Sequence, residues 1–145
     1  MNYWDTSALL KLYAPEHDSG FFLNLIAGSD EPVVSSALAT IEVLCSLFRK
    51  ELSGDLRPGG ATAVFCHFRA DCEEGRIGLI PYGQDVAEKA EELIQRVYAR
   101  RRPVMIRALD LIHLASAAVS RATIVVATDK RQRNLASILR FRLIP

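Results

Sequence analysis

Cysteine is scarce in this 145-residue chain: only Cys45, Cys66 and Cys72 are present. An odd number with no C-x-x-C pair and no zinc-ligand spacing excludes a disulfide scaffold and a thiolate metal centre, and predicts a protein kept in a reducing cytoplasm. Also missing is any run of about 20 uninterrupted apolar residues, so no membrane span is expected. The first residues lack a basic stretch, and Asp5 interrupts the apolar segment that an export leader would need. No internal repeat, low-complexity tract or long linker divides the sequence, and a single domain over residues 1–145 is expected. A domain of this size buries roughly 70% of the surface its unfolded chain exposes.

Net charge is nearly absent too, at +1, which argues against a protein that merely coats nucleic acid. The charge is unevenly spread, however. Residues 1–75 hold 11 acids and 5 bases, a balance of −6, and residues 76–145 hold 6 acids and 13 bases, a balance of +7. A basic C-terminal half suits a polyanionic partner.

Short strand candidates lie at 1–4, 32–35, 77–81, 123–127 and 141–144, several with paired β-branched residues. Between them the pattern predicts helices at 7–13, 18–27 with Asp18 as N-cap, 36–52, 61–74, 84–100, 108–120 and 130–139. The clearest amphipathic stretch places Val86, Ala90, Leu93, Ile94 and Val97 at helical spacing, with Glu88, Glu91, Glu92 and Arg96 on the other face. Apolar strands alternating with helices, without hairpin turn signals, predict right-handed crossovers and a parallel sheet covered on both faces. The expected fold class is a three-layer α/β/α sandwich.

Four acids stand where apolar residues are expected. Asp5 is the only charge between Met1 and Leu10, at the end of the first strand. Glu42 is the only charge between Glu31 and Arg49, and Asp110 the only one between Arg107 and Arg121. Asp129 directly follows an apolar strand. Burying an unpaired carboxylate costs several kcal/mol, so each needs a reason. In an open parallel sheet ligands gather beyond the carboxyl ends of strands, where Asp5 and Asp129 fall. Clustered carboxylates repel one another unless a cation neutralises them, and Mg²⁺ favours oxygen ligands. The chemistry such a cluster suits is phosphodiester hydrolysis. Each acid also has a plainer reading: Asp5 and Asp129 as helix N-caps, Glu42 in a structural ion pair, and Asp110 paired with Arg107 at i, i+3.

In order and spacing these residues resemble the PIN-domain family, most closely the small ribonuclease toxins of the VapBC toxin–antitoxin type, over essentially the whole chain. Tyr3-Trp4-Asp5-Thr6-Ser7-Ala8-Leu9 resembles the family's opening motif, and Ser35-Ser36 followed by Glu42 its second acid. Leu109-Asp110-Leu111-Ile112-His113-Leu114-Ala115 resembles the third-acid helix, and Ala127-Thr128-Asp129 the final strand-end acid. The resemblance implies a five-stranded parallel sheet and a Mg²⁺ or Mn²⁺ site on Asp5, Glu42, Asp110 and Asp129. It also implies endonucleolytic cleavage of RNA, homodimerisation and inhibition by a small antitoxin. Trp4 is bulkier than the family's usual residue there, and Lys130 to Asn134 is unusually basic.

Thr6 and Thr128 are candidates to orient a ligand carboxylate or its water by hydrogen bonding, with capping as their other reading. His113, one turn beyond Asp110, is expected to be a packed, hydrogen-bonded core histidine rather than a general base. Arg100, Arg101, Arg102 and Arg107 form one basic cluster and Lys130, Arg131 and Arg133 another, suited to phosphate or to solvated helix ends. Tyr3, Trp4, Tyr13, Phe21 and Phe22 suit core packing or base stacking. Two competing functions remain. A DNA nuclease or phosphatase is one, although an aspartyl phosphatase would carry a second Asp where Ser7 stands. The other is a non-catalytic module that binds RNA or protein.

Overall fold

β-branched residues in short runs and helices between them dictate the architecture, although only the helices starting at Thr6 and Lys130 carry a side-chain N-cap and Asp18 does not cap the one starting at Ser19. The computed structural model describes residues 1–145. β1 (Asn2–Trp4), β2 (Val33–Ser36), β3 (Ile77–Ile80), β4 (Ile124–Val126) and β5 (Arg142–Ile144) form one sheet. Its order is β3-β2-β1-β4-β5, and every pairing is parallel. The helices between are α1 (Thr6–Tyr13), α2 (Ser19–Ala27), α3 (Ala39–Leu52), α4 (Gly60–Glu73), α5 (Gln84–Tyr98), α6 (Ala108–Val119) and α7 (Lys130–Ile138).

Side chains alternate across a strand, so each β-strand feeds two cores. Tyr3 and Val125 point to a core with Val86, Leu93, Leu114 and Leu135 of α5, α6 and α7. Their neighbours Trp4 and Val126 point to a core with Leu9, Phe22, Val43 and Phe68 of α1 to α4. Trp4 is buried and meets the Phe22 ring edge-on at 6.1 Å, which accounts for its bulk. The result is the expected α/β/α sandwich with a five-stranded parallel sheet.

Most elements differ from the sequence reading by a residue or two at an end, and the start of α3 by three. Ser36 ends β2 instead of opening α3, because its register partner Ile80 extends the ladder; α3 starts only at Ala39. Gly59 precedes α4 at φ +79°, a left-handed turn residue that glycine tolerates at no steric cost.

The chain runs outward from β1 through β2 to β3, then returns to the other side of β1 for β4 and β5. β1 and β4 therefore flank the topological switch point, and the cleft beyond their C-terminal ends is where the fold leaves room for a ligand. No helix is long and apolar enough to cross a membrane.

Candidate functional site

Topology brings the acids together. Asp5 follows β1 and Asp129 follows the end of β4, both at the switch point. Crossover helices run antiparallel to the strands, so their N-termini return to the same edge. Glu42 lies in the first turn of α3 and Asp110 in the first turn of α6. All four line one cleft of about 550 Å³ together with Thr6, Ser7 and His113. A more apolar groove between α3 and α4, lined by Ile41, Leu44, Phe65 and Phe68, holds no such cluster.

Three of the acids are fixed through a single oxygen. Asp5 Oδ2 accepts from the Ser7 backbone N–H at 3.1 Å and from Ser7 Oγ at 2.7 Å, capping α1. Asp129 Oδ1 caps α7, accepting from the Arg131 and Gln132 N–H groups at 2.9 and 3.0 Å. Glu42 Oε2 accepts from Thr6 Oγ1 and lies 2.7 Å from His113 Nε2. Asp5 Oδ1, Asp129 Oδ2 and Glu42 Oε1 have no hydrogen-bond donor, and Asp110 has none on either oxygen. Capping and ligand binding are thus compatible in one carboxylate, because each role uses a different oxygen.

Behind Glu42 runs a buried polar chain. His113, 2% exposed, places Nδ1 2.6 Å from Tyr3 Oη, and Tyr3 Oη accepts the Ser36 N–H at 3.0 Å. Burial favours neutral imidazole, but the Glu42 hydrogen bond and the nearby Asp5 charge overcome it and raise the His113 pKa. Burial likewise opposes ionisation of Glu42, and the His113 and Thr6 hydrogen bonds outweigh it, so its pKa is lowered. Burial and the Asp5 charge push the Tyr3 phenol well up, so it stays protonated. His113 is therefore the packed, hydrogen-bonded histidine expected from its place in α6.

Asp110 shows the opposite balance. Burial, then the charges of Asp129 and Asp5, raise its pKa, and Arg107 only partly offsets them. No ion pair joins Arg107 to it. The donor set is all oxygen, Asp129 and Asp5 raise the cost of ionising Asp110, and free carboxylate oxygens remain: a hard divalent cation fits this chemistry. No three of the acids converge closely enough to make a ligand set by themselves. Mg²⁺ commonly takes one or two carboxylates and keeps several waters, so it does not require that convergence.

The other candidates separate clearly. Thr6 supports Glu42. Thr128 gives only its backbone N–H, to Ser7 Oγ at 3.0 Å, and its hydroxyl reaches none of the acids. Arg107 lines the acid cleft, whereas Arg100, Arg101 and Arg102 border a depression of their own. Arg133 is turned inward, its Nη1 donating to the Ala127 carbonyl at 3.0 Å. Tyr3, Trp4 and Phe22 are buried and Phe21 is exposed. Sequence reasoning passed over Ser7, whose Oγ joins Asp5 to the Thr128 and Asp129 backbone, and over Arg49 and Gln132, which also line the cleft. Ser7 had a visible signal as the residue two beyond a capping Asp; Arg49 and Gln132 had none.

Fold and site together define an α/β/α sandwich with an acid-lined cleft at the switch point of its sheet. A family model described as the PIN domain matches residues 3–138, and the chain belongs to the PIN-domain family. The fold is shared with a toxin–antitoxin complex from Klebsiella pneumoniae (TM-score 0.67, 14% identity, 100% of this chain and 97% of the other covered). It is shared as well with VapBC2 from Rickettsia felis bound to a DNA fragment from its promoter (TM-score 0.66, 16% identity, 99% and 98% covered). No curated protein matches the sequence.

Proposed function

We propose that this PIN domain is a divalent-metal-dependent endoribonuclease and the toxin of a toxin–antitoxin pair, held in check by a small protein partner and active as a homodimer. The observation that carries the reading is the convergence of Asp5, Glu42, Asp110 and Asp129, drawn from four separate parts of the chain, on one cleft. Membership of the PIN family and the toxin–antitoxin complexes sharing the fold support it. Mg²⁺ or Mn²⁺ would be held in this cleft by one or two of the carboxylates of Asp5, Glu42, Asp110 and Asp129 and by water. When bound, such an ion supplies water activation and neutralises phosphoryl oxygens.

The chain's own residues do the rest. Ser7 orients Asp5, Thr6 and His113 orient Glu42, and Arg49 and Arg107 on the cleft walls attract the phosphodiester backbone. A non-catalytic module would have no use for an Asp110 whose ionisation is opposed by burial and by Asp129 and Asp5.

The test is incubation of purified, partner-free protein with structured and unstructured RNAs and with single-stranded DNA, in Mg²⁺, Mn²⁺ or EDTA. Cleavage of RNA at defined sites, in metal only, is expected. Cleavage that persists in EDTA, or DNA cut as readily as RNA, overturns the reading.

A further inference from the structure

The acid cleft does not end at Asp110. Arg107 and Asp110 also line a second groove of about 390 Å³, whose other walls are Met105, Ile106, Arg131 and Leu135. Because the same two residues border both spaces, the groove continues the cleft. Arg107 and Arg131, like most of the arginines and unlike Arg69, Arg76 and Arg96, have no carboxylate partner, and they are the two that stand together on this groove. Met105, at 98% exposure, is the most exposed large apolar side chain in the molecule.

We propose that this groove is a nucleoside subsite, which receives the unpaired residue next to the phosphodiester held over the acids. Arg131 and Arg107 take its phosphate, and Met105 and Ile106 pack against the face of its base. The proposal rests on the ribonuclease reading above. Two guanidinium groups without a paired carboxylate, beside the acid cleft, match a polyanion that spans both, since one phosphate neutralises the arginines while its neighbour lies over the acids. Unpaired bases are recognised by stacking on flat or polarisable side chains, and a thioether makes favourable contacts with aromatic rings. The volume lies within the roughly 300–1,000 Å³ of small-molecule sites.

The experiment measures binding of a fluorescein-labelled single-stranded RNA of about ten nucleotides in EDTA, by anisotropy across a salt titration. R131Q, M105A and, as a control at the N-terminal end of the strands, R142Q are compared with wild type, with circular dichroism confirming each fold. R131Q is expected to weaken binding and to reduce the slope of log K against log salt by about 0.7, the loss of one single-strand phosphate contact. M105A is expected to weaken binding about threefold to tenfold with the slope unchanged, since it removes a contact to the base and no charge. In Mg²⁺ both variants should raise KM far more than they lower kcat. Wild type that neither binds nor cleaves RNA overturns the ribonuclease reading and the subsite with it. Wild type that binds and cleaves, with R131Q and M105A indistinguishable from it, overturns the subsite alone. So does a result in which both variants keep RNA affinity and slope but no longer bind a co-expressed inhibitor protein, which would make the groove a protein site.

Discussion

Glu42 is held from behind by a chain of buried residues. Tyr3 Oη sits between the Ser36 N–H and His113 Nδ1, and His113 in turn holds Glu42. Tyr3→Phe keeps the ring and its packing but leaves a buried N–H and a buried imidazole nitrogen without their partner. Unsatisfied buried groups cost about 1–3 kcal/mol, so a loss of about 2 kcal/mol is expected, or roughly 4–8 °C in melting temperature at this chain length. RNA cleavage should fall as well, because Glu42 loses its brace. A variant that melts within 1–2 °C of wild type (about the scatter of surface substitutions) would show that the phenol adds nothing. The acids themselves were legible in the sequence, since isolated charges in apolar runs stand out. The brace was not: Tyr3 and His113 are 110 positions apart, and each looks like ordinary core by itself.

At the scale of elements, α7 begins on a residue with two tasks. Asp129 caps the helix with one oxygen and keeps the other free beside Asp110. Asn caps about as well as Asp, whereas Ala loses about 1 kcal/mol. Asp129→Asn should therefore stay within about 0.5 kcal/mol of wild type, helped by relief of repulsion with Asp110, while cleavage drops sharply. Asp129→Ala should lose both. Denaturant unfolding and RNA cleavage on the two variants separate the tasks; full activity in Asp129→Asn would confine the residue to capping. Element types and order followed from the sequence because strand and helix periods are local. The start of α3 did not, because the pairing of Ser36 with Ile80 on β3 is a long-range contact. Strand order was not read from the sequence at all, because it is fixed by pairing between distant segments.

Over the whole molecule the acid cleft sets folding against function, and the cation is what reconciles them. Asp110 has its pKa raised in the fold by burial and by Asp129 and Asp5. A carboxyl whose folded pKa lies above its unfolded value destabilises the fold when ionised, and that cost is relieved as pH falls through the folded pKa. At neutral pH without metal the fold therefore carries the penalty. Asp110→Asn removes the charge with little change in volume, so in EDTA it should melt above wild type. A divalent ion reverses the order, because it binds only the folded cleft. At 100 times its dissociation constant it adds about 2.7 kcal/mol, on the order of 5–10 °C for a chain of this length. Wild type should gain that rise, and Asp110→Asn, with a carboxylate missing, much less. The two melting curves then cross as Mg²⁺ is titrated at constant ionic strength. Acids that served only as caps or ion-pair partners would behave differently, since their loss destabilises with or without metal. Wild type that shows no Mg²⁺-dependent shift, or Asp110→Asn that melts lower in EDTA and gains as much from Mg²⁺, would remove the shared cation site from the molecule.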